Sequence, residues 1–332
     1  MRTRFLGLML AVLLGPPARA ADHVSIALPG VPPVVAGTVF YVARDQGFFS
    51  KHGIDADLRP FDSGTAAAQA VASDDFDLSL SPTPGVIRMV SNAHVQLVAI
   101  WGLPVPDWQL AAVDPAHATC QDLRGAPIGI DAIGGARAVA LAAFLRACGL
   151  GPDSVQQVPL SSNSAAAMAA GQLKFGVLHL DDVDTLEALV KHPVGIVNSF
   201  DKAEPLSHYL VLVAHATKLA ARHDVFVRVL AALIESARWM QLPDNLDRAA
   251  TIATVTGHPD AVMKKALPRF FAIHYWPTDN DGLGLDNLRH AIATEVSVGG
   301  IKRSPVSAES LIATDDGKSL WAEANALVTS DR

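Results

Sequence analysis

The chain has 332 residues, 50 % of them hydrophobic, with 26 basic and 33 acidic side chains and a formal charge of −7. That length suffices for two domains with full cores. The acidic surplus argues against nucleic acid or an anionic membrane as a partner, since both need basic surface, although one arginine can still serve an anion locally.

Residues 1–20 read as a targeting segment. Arg2 and Arg4 form a basic start, 5–14 an apolar run too short to cross a bilayer, and Ala18-Arg19-Ala20 a small-residue cleavage site. Cleavage after Ala20 is expected, and no cysteine follows it to carry a lipid. The segment removes three arginines and no acids, leaving 23 basic against 33 acidic residues and a net charge of −10. No other stretch is long and apolar enough to span a membrane, so a soluble, exported protein is expected.

A first strand at 24–28 ends at Pro29-Gly30, followed by a Pro-rich loop and a helix marked by Val35, Val39, Val42 and Ala43. Ile54, Ala56 and Leu58 alternate with Asp55, Asp57 and Arg59, the period of a half-buried strand. Asp62-Ser63-Gly64 then turns the chain, and the Ala-rich run from Thr65 favours a helix that Ser63 or Thr65 would cap. Residues 76–80 alternate again, 81–85 form a loop, 86–92 a helix and 95–101 a strand ending in Trp101. The run 110–113 reads as a crossover to a second set: strand 128–131, helix 136–147, strand 155–160, helix 165–170, strand 175–180, helix 183–191 and strand 195–198. The apolar run 210–214 reads as the return crossover. Beyond it the chain is helical, with Phe226, Val229, Leu230, Leu233, Ile234 and Ala237 on one stripe. Strands alternating with helices imply an α/β protein with a mostly parallel sheet in each unit.

The phrase around Ser63 returns 99 residues later. Ser63, Gly64 and Thr65 match Ser162, Asn163 and Ser164, the alanines 66–68 match 165–167, and Phe76 matches Phe175. A period this long is not a solenoid repeat; it points to two lobes on one plan, each offering a hydroxyl-rich helix start to a shared cleft. The expected division is lobe one at 21–111 and 209–332, and lobe two at 112–208.

In open α/β sheets, ligands sit outside the carboxyl ends of strands. That rule selects Gly30, Ser63, Gly64, Thr65, Ser81, Thr83 and Trp101 in lobe one, and Gly134, Gly135, Arg137, Ser162, Ser164, His179 and Asp181 in lobe two. Hydroxyls and free amides can hold an anion or a heterocycle edge without a full counter-charge; a plain helix cap is the alternative for each hydroxyl. Arg137 stands in a helix first turn, where its cation opposes the dipole, so either an anion lies nearby or the side chain is solvated. Trp101 either stacks on a planar ligand or lodges in the core. Trp108 reads as a hinge-packing residue.

Cys120 and Cys148 flank a strand and the helix that packs back on it, so a disulfide is expected in an oxidising compartment, with two buried thiols as the alternative. The letters of 179–184 resemble metal ligands, yet Asp181 and Asp182 sit where a helix cap belongs, and no metal or other cofactor is expected. Ser199-Phe200-Asp201-Lys202 spells S-x-x-K without the partner motifs of an acylase, and no nucleophile has an evident base.

Several phrases resemble one family. Val42-Ala43, Gly47-Phe48-Phe49, His52-Gly53-Ile54-Asp55, Ser63-Gly64 and Phe76-Asp77-Leu78 are similar to the opening of the periplasmic binding proteins for nitrate, sulfonates and taurine, and of related thiamine-pyrimidine binders. Asp122-Leu123-Arg124-Gly125, Cys148-Gly149-Leu150 and Ala169-Ala170-Gly171-Gln172 continue the likeness, with Asp74 and Lys174 departing from the glycine and aspartate usual there. The resemblance covers nearly all of the chain after residue 20. It implies the two-lobed, type II periplasmic-binding-protein fold with two crossovers as a hinge. It further implies a monomeric, periplasmic solute-binding subunit of an ABC importer, partnered by an inner-membrane permease and not an enzyme. A small organic anion is the first ligand class, favoured by Arg137, and a pyrimidine-like or aromatic compound the second, favoured by Trp101. An enzyme on the same two-lobe plan and a sensor subunit are the competing roles.

Overall fold

A computed structural model of the chain describes residues 20–131, 133, 136–160, 164–301, 306–315 and 318–330. Residues 1–19 of the expected targeting segment, and Gly134, Gly135 and Ser162 of the expected site, lie outside these residues.

Strand β1 (Asp22–Pro29) turns the fully buried Val24, Ile26 and Leu28 to one face, where α1 (Thr38–Asp45) and α2 (Phe48–Lys51) cover them. β2 (Ile54–Phe61), α3 (Gly64–Ala72), β3 (Leu78–Pro82), α4 (Thr83–Ala93) and β4 (Leu97–Leu103) complete the first pass. Asp74, in place of the usual glycine, has φ +68° in the turn after α3, a conformation Asp accepts more readily than most side chains. The chain then builds β5 (Gln109–Ala112), β6 (Pro127–Ile130), α5 (Ala136–Ala147), β7 (Gln156–Pro159), α6 (Ser164–Ala169), β8 (Phe175–Leu178), α7 (Leu180–Val190), β9 (Gly195–Ser199) and α8 (Phe200–Ala203).

It returns through β10 (Leu210–His215) to α9 (Ala216–Ala221), α10 (His223–Met240), α11 (Leu246–Ala253), α12 (Asp260–Ala272), α13 (Leu285–Ser297), α14 (Ala308–Leu311) and α15 (Leu320–Ser330). The six apolar residues of the α10 stripe are all buried against the first sheet, in one core with α1, α11, α12 and α15. Its other face packs on α4, α13 and α14 through Val86, Ile87, Leu288 and Leu311.

Each sheet has five strands, ordered β2-β1-β3-β10-β4 and β7-β6-β8-β5-β9. The two orders match position by position, so α3 and α6, which carry the 99-residue repeat, are topologically equivalent. In each sheet one strand runs against its neighbours: β10 between β3 and β4, and β5 between β8 and β9. These are the apolar runs that the sequence suggests as crossovers. They are strands at the interior of each sheet because a run buried on both faces satisfies its amides best inside a ladder. The crossovers are the segments next to them, 104–108 and 200–209.

The register fixes where the two sheets meet. Leu210, at the start of β10, pairs with Pro82 and Leu103 at the carboxyl ends of β3 and β4. Gln109, at the start of β5, pairs with Leu178 and Ser199 at the carboxyl ends of β8 and β9. Both crossovers therefore join the carboxyl ends of one sheet to those of the other, and the Phe200 amide donates to the Trp108 carbonyl at 2.9 Å, tying the crossovers together. In lobe two, Cys120 and Cys148 form a disulfide with Cα atoms 5.5 Å apart. Among the described residues, no helix is long and apolar enough to cross a membrane.

Candidate functional site

In lobe one, the carboxyl ends of β1, β2 and β3 gather at the start of α3. Ser63 is its N-cap, accepting from the Ala66 amide at 3.1 Å, so the Gly64 and Thr65 amides form the open helix end. A side chain on Gly64 would meet Pro82 Cδ at 2.4 Å and Pro29 Cβ at 3.6 Å, which is why the helix can start so close to the other two strand ends. Thr65 is exposed, with its hydroxyl beside Gly85 in α4. Gly30 has φ +92°, and a Cβ there would lie 2.7 Å from the Pro32 carbonyl, so the turn itself requires glycine.

Three expected ligand contacts of lobe one are internal instead. The Ser81 hydroxyl is fully buried and bonds Ser79 Oγ at 2.9 Å. Thr83 is buried, with its hydroxyl 2.8 Å from His208 Nδ1. Trp101 lies in the core, 1 % exposed. The ladder from β10 to β4 shifts register between Leu212 and Val213, and this bulge turns Trp101 to the face that packs under α10.

In lobe two, α6 and α7 start at the carboxyl ends of β7 and β8. Ser164 is fully buried, seated where a side chain on Gly129 of β6 would stand 2.9 Å from its Oγ, which shows how closely α6 lies on the strand. Arg137, on the first turn of α5, is neither solvated nor open. Its guanidinium lies 3.0 Å from the Asp182 carboxylate and 5.7 Å from the centre of the Trp108 ring. His179, the N-cap of α7, stacks on Trp108 with ring centres 3.7 Å apart.

Between the lobes lies a buried polar cluster centred on Asp107 in the first crossover. Its carboxylate accepts from His179 Nδ1 at 2.8 Å, from the Leu180 amide at 3.3 Å and from the Tyr275 hydroxyl at 3.4 Å. Tyr209 of the second crossover meets Trp108 edge-on at 6.3 Å. From lobe one, His258 reaches across to Asp181, 2.8 Å from Nε2 to Oδ2. Burial of His179 works against its cation, but Asp107, Asp181 and Asp182 outweigh it and hold the imidazole above its usual 6.5. Burial and the neighbouring Asp181 raise the Asp182 pKa, while the bond from His258 and the charge of His179 overcome burial and lower that of Asp181. No motif or periodicity in the sequence marks Asp107, Tyr209, Tyr275, His208 or His258. The one available signal was composition: only three tyrosines occur, and two of them converge here.

His208 anchors the second crossover as a neutral ring, with Nε2 donating to the Gly282 carbonyl at 2.9 Å and Nδ1 accepting from Thr83. Burial depresses its pKa from 6.5 to about 4. Below pH 6.5 the unfolded chain takes up a proton that the folded one refuses until about 4, so stability falls with pH through that window. The expected loss is up to about 3 kcal/mol, read from urea melts across the range, and His208→Gln should remove that part of the acid sensitivity.

Among the described residues, no group of three or more His, Cys, Asp or Glu side chains is arranged to hold a metal ion. A candidate binding protein of Brucella abortus (strain 2308) is 24 % identical over 237 residues, 71 % of this chain and 73 % of that one. The structure superposes on the periplasmic aliphatic sulphonate binding protein SsuA of Escherichia coli with TM-score 0.68 and 16 % identity, over 88 % of this chain and 92 % of that one. It superposes likewise on the periplasmic nitrate-binding protein NrtA of Synechocystis PCC 6803, with TM-score 0.68 and 12 % identity, over 93 % and 89 %. These two likenesses show the fold: two lobes of the periplasmic-binding-protein kind. The family model described as NMT1/THI5 like matches residues 36–245. That span runs from the first helix of lobe one through all of lobe two to the long helix of the return, and the chain belongs to the NMT1/THI5-like family.

Proposed function

We propose that this protein is the extracytoplasmic solute-binding subunit of an ABC importer, working in the periplasm as a monomer and passing its ligand to a membrane permease. The observation that carries the reading is the pair of like-ordered sheets whose strand carboxyl ends meet at two short crossovers. A solute held there touches both lobes, so closing gains contacts from two sides, and the ligand shifts the population toward the closed form.

The ligand class is a small organic anion of the sulfonate, carboxylate or nitrate-like kind. The open amides at the start of α3, with the Ser63 and Thr65 hydroxyls, suit such a group, and the Escherichia coli and Synechocystis relatives bind a sulphonate and nitrate by name. Arg137 already carries a carboxylate partner in Asp182, so amides and hydroxyls do most of the holding. Trp101 is enclosed in the core, so its ring is not offered to an aromatic ligand.

A thermal-shift screen over alkanesulfonates, carboxylates, nitrate and pyrimidines tests this. At a concentration near 100 times its Kd, the right anion stabilises the fold by about 2.7 kcal/mol, a shift of several degrees. A response to pyrimidines alone would overturn the ligand class. A gene neighbourhood holding a histidine kinase, with no ATPase or permease, would overturn the transport role.

A further inference from the structure

Lobe two meets the α11–α12 region of lobe one through opposite charges. Asp181, Asp184 and Glu187 recur every three residues along α7, which places them on one face. Facing them, Arg269 lies 2.8 Å from Asp184, Lys265 lies 3.2 Å from Asp184 and also pairs with Glu187, and His258 bonds Asp181. The outer end opens into a cavity of about 350 Å³ lined by Asp184, Glu187, His192, Val262 and Lys265. Water and salt reach the pairs there, and the Lys265 side chain is 54 % exposed. The inner pair is better shielded, with side-chain exposures of 21 % for His258 and 8 % for Asp181.

The hydrogen bonds decide the charge on His258. The Thr185 hydroxyl donates to the Asp181 carbonyl at 2.9 Å, one turn back along α7. While that bond holds the hydroxyl's single proton, its lone pairs face His258 Nδ1, 3.2 Å away, and Nδ1 is the donor. Nε2 donates to the Asp181 carboxylate at 2.8 Å. A ring that donates from both nitrogens is an imidazolium, whereas His208, which donates from one and accepts at the other, is neutral.

We propose that His258 is a protonation-dependent latch between the lobes, joining the α11–α12 turn to Asp181 and Thr185 of α7 as a cation, and as a neutral ring losing its charge opposite Asp181 and either the Thr185 contact or that hydroxyl's bond to the Asp181 carbonyl. The consequence for solute capture rests on the lobe-closing reading above; the latch itself does not. The charged groups around the ring leave it this role. Asp181, Asp182 and His179 face it from α7 and its N-cap, and Asp182 is engaged by Arg137. On α12, Lys265 and Arg269 are turned to Asp184 and Glu187, and Asp260 to Thr251 and Lys264. The bond to Asp181 outweighs burial and raises the His258 pKa above 6.5. The latch is thus complete below that value and is lost as pH rises through the raised pKa. With a neutral ring, the closed form leaves the Asp181 carboxylate buried and short of a counter-charge.

Spin labels on the exposed positions Val139 of α5 and Leu242 after α10, read by electron–electron double resonance without any solute, test it. Between about pH 5.5 and about pH 9 the interlobe distance distribution of the otherwise unaltered protein is expected to go from narrow to broad. His258→Gln should be broad at both, and His258→Lys narrow at both. Thr185→Val, which keeps the carboxylate contact but removes the acceptor at Nδ1, should move the transition to lower pH, and it serves if the His258 variants do not fold. An unchanged distribution across the range, or a His258→Gln profile superimposable on the parent's, would overturn the latch. Because no ligand is present, that result would leave the solute-binding reading standing, and a failed ligand screen would leave the latch standing.

Discussion

Asp107→Ala is expected to destabilise the protein by about 3–5 kcal/mol, as removal of one partner from a buried ion pair does. Asp107 is 1 % exposed, and its carboxylate satisfies three donors from two parts of the chain: His179 and the Leu180 amide at the start of α7, and Tyr275. Without it, the imidazole stacked under Trp108 keeps its N–H but has no acceptor, at the point where the crossovers meet. A thermal melt should show a loss of roughly 10 °C. Tyr275→Phe removes the longest of the three bonds and should cost about 0.5–1.5 kcal/mol. The order of the two variants is the test. If Asp107→Ala costs less than Tyr275→Phe, the carboxylate is not the centre of the hinge cluster.

The second large effect is expected from the disulfide. Cys120 and Cys148 are 28 residues apart, and closing a loop of that length in the unfolded chain corresponds to about 3.5 kcal/mol. The double variant Cys120→Ser/Cys148→Ser should lose most of this, as should the parent protein melted in reductant. Thiol titration of the unfolded, unreduced protein should find no reactive cysteine; two per chain would refute the bridge. The loss should fall on lobe two, since the bridge lies wholly within it. Proteolysis of the reduced protein should therefore begin between 110 and 200.

The disulfide was legible in the sequence for a local reason. A helix packed on the strand before it brings known ends together, and Cys120 and Cys148 stand at those ends. The same holds for the strand and helix order, for the α10 stripe, and for the repeat that falls on α3 and α6. The apolar runs near Leu110 and Leu210 were misread because an apolar run carries no mark of strand direction or of which sheet it joins. For Trp101 the sequence leaves a stacking contact and a core position open; the core position follows from the register shift of β4 against β10, which its own neighbours in sequence do not encode.

What the sequence alone determined is the part governed by short-range periodicity and turn chemistry: two α/β units on one plan and a hydroxyl-capped start of α3; that Ser63 is the cap and that Cys120 and Cys148 are bridged came from the structure. What the tertiary structure decided is the charge state and reach of side chains that meet across long separations. Arg137 became a buried partner of Asp182, Asp107 became the centre of the crossovers, His258 came to face Asp181, and burial held His208 neutral. The reason is physical. A buried charge is fixed by the few groups within about 4–6 Å of it, and folding, not sequence order, chooses those neighbours.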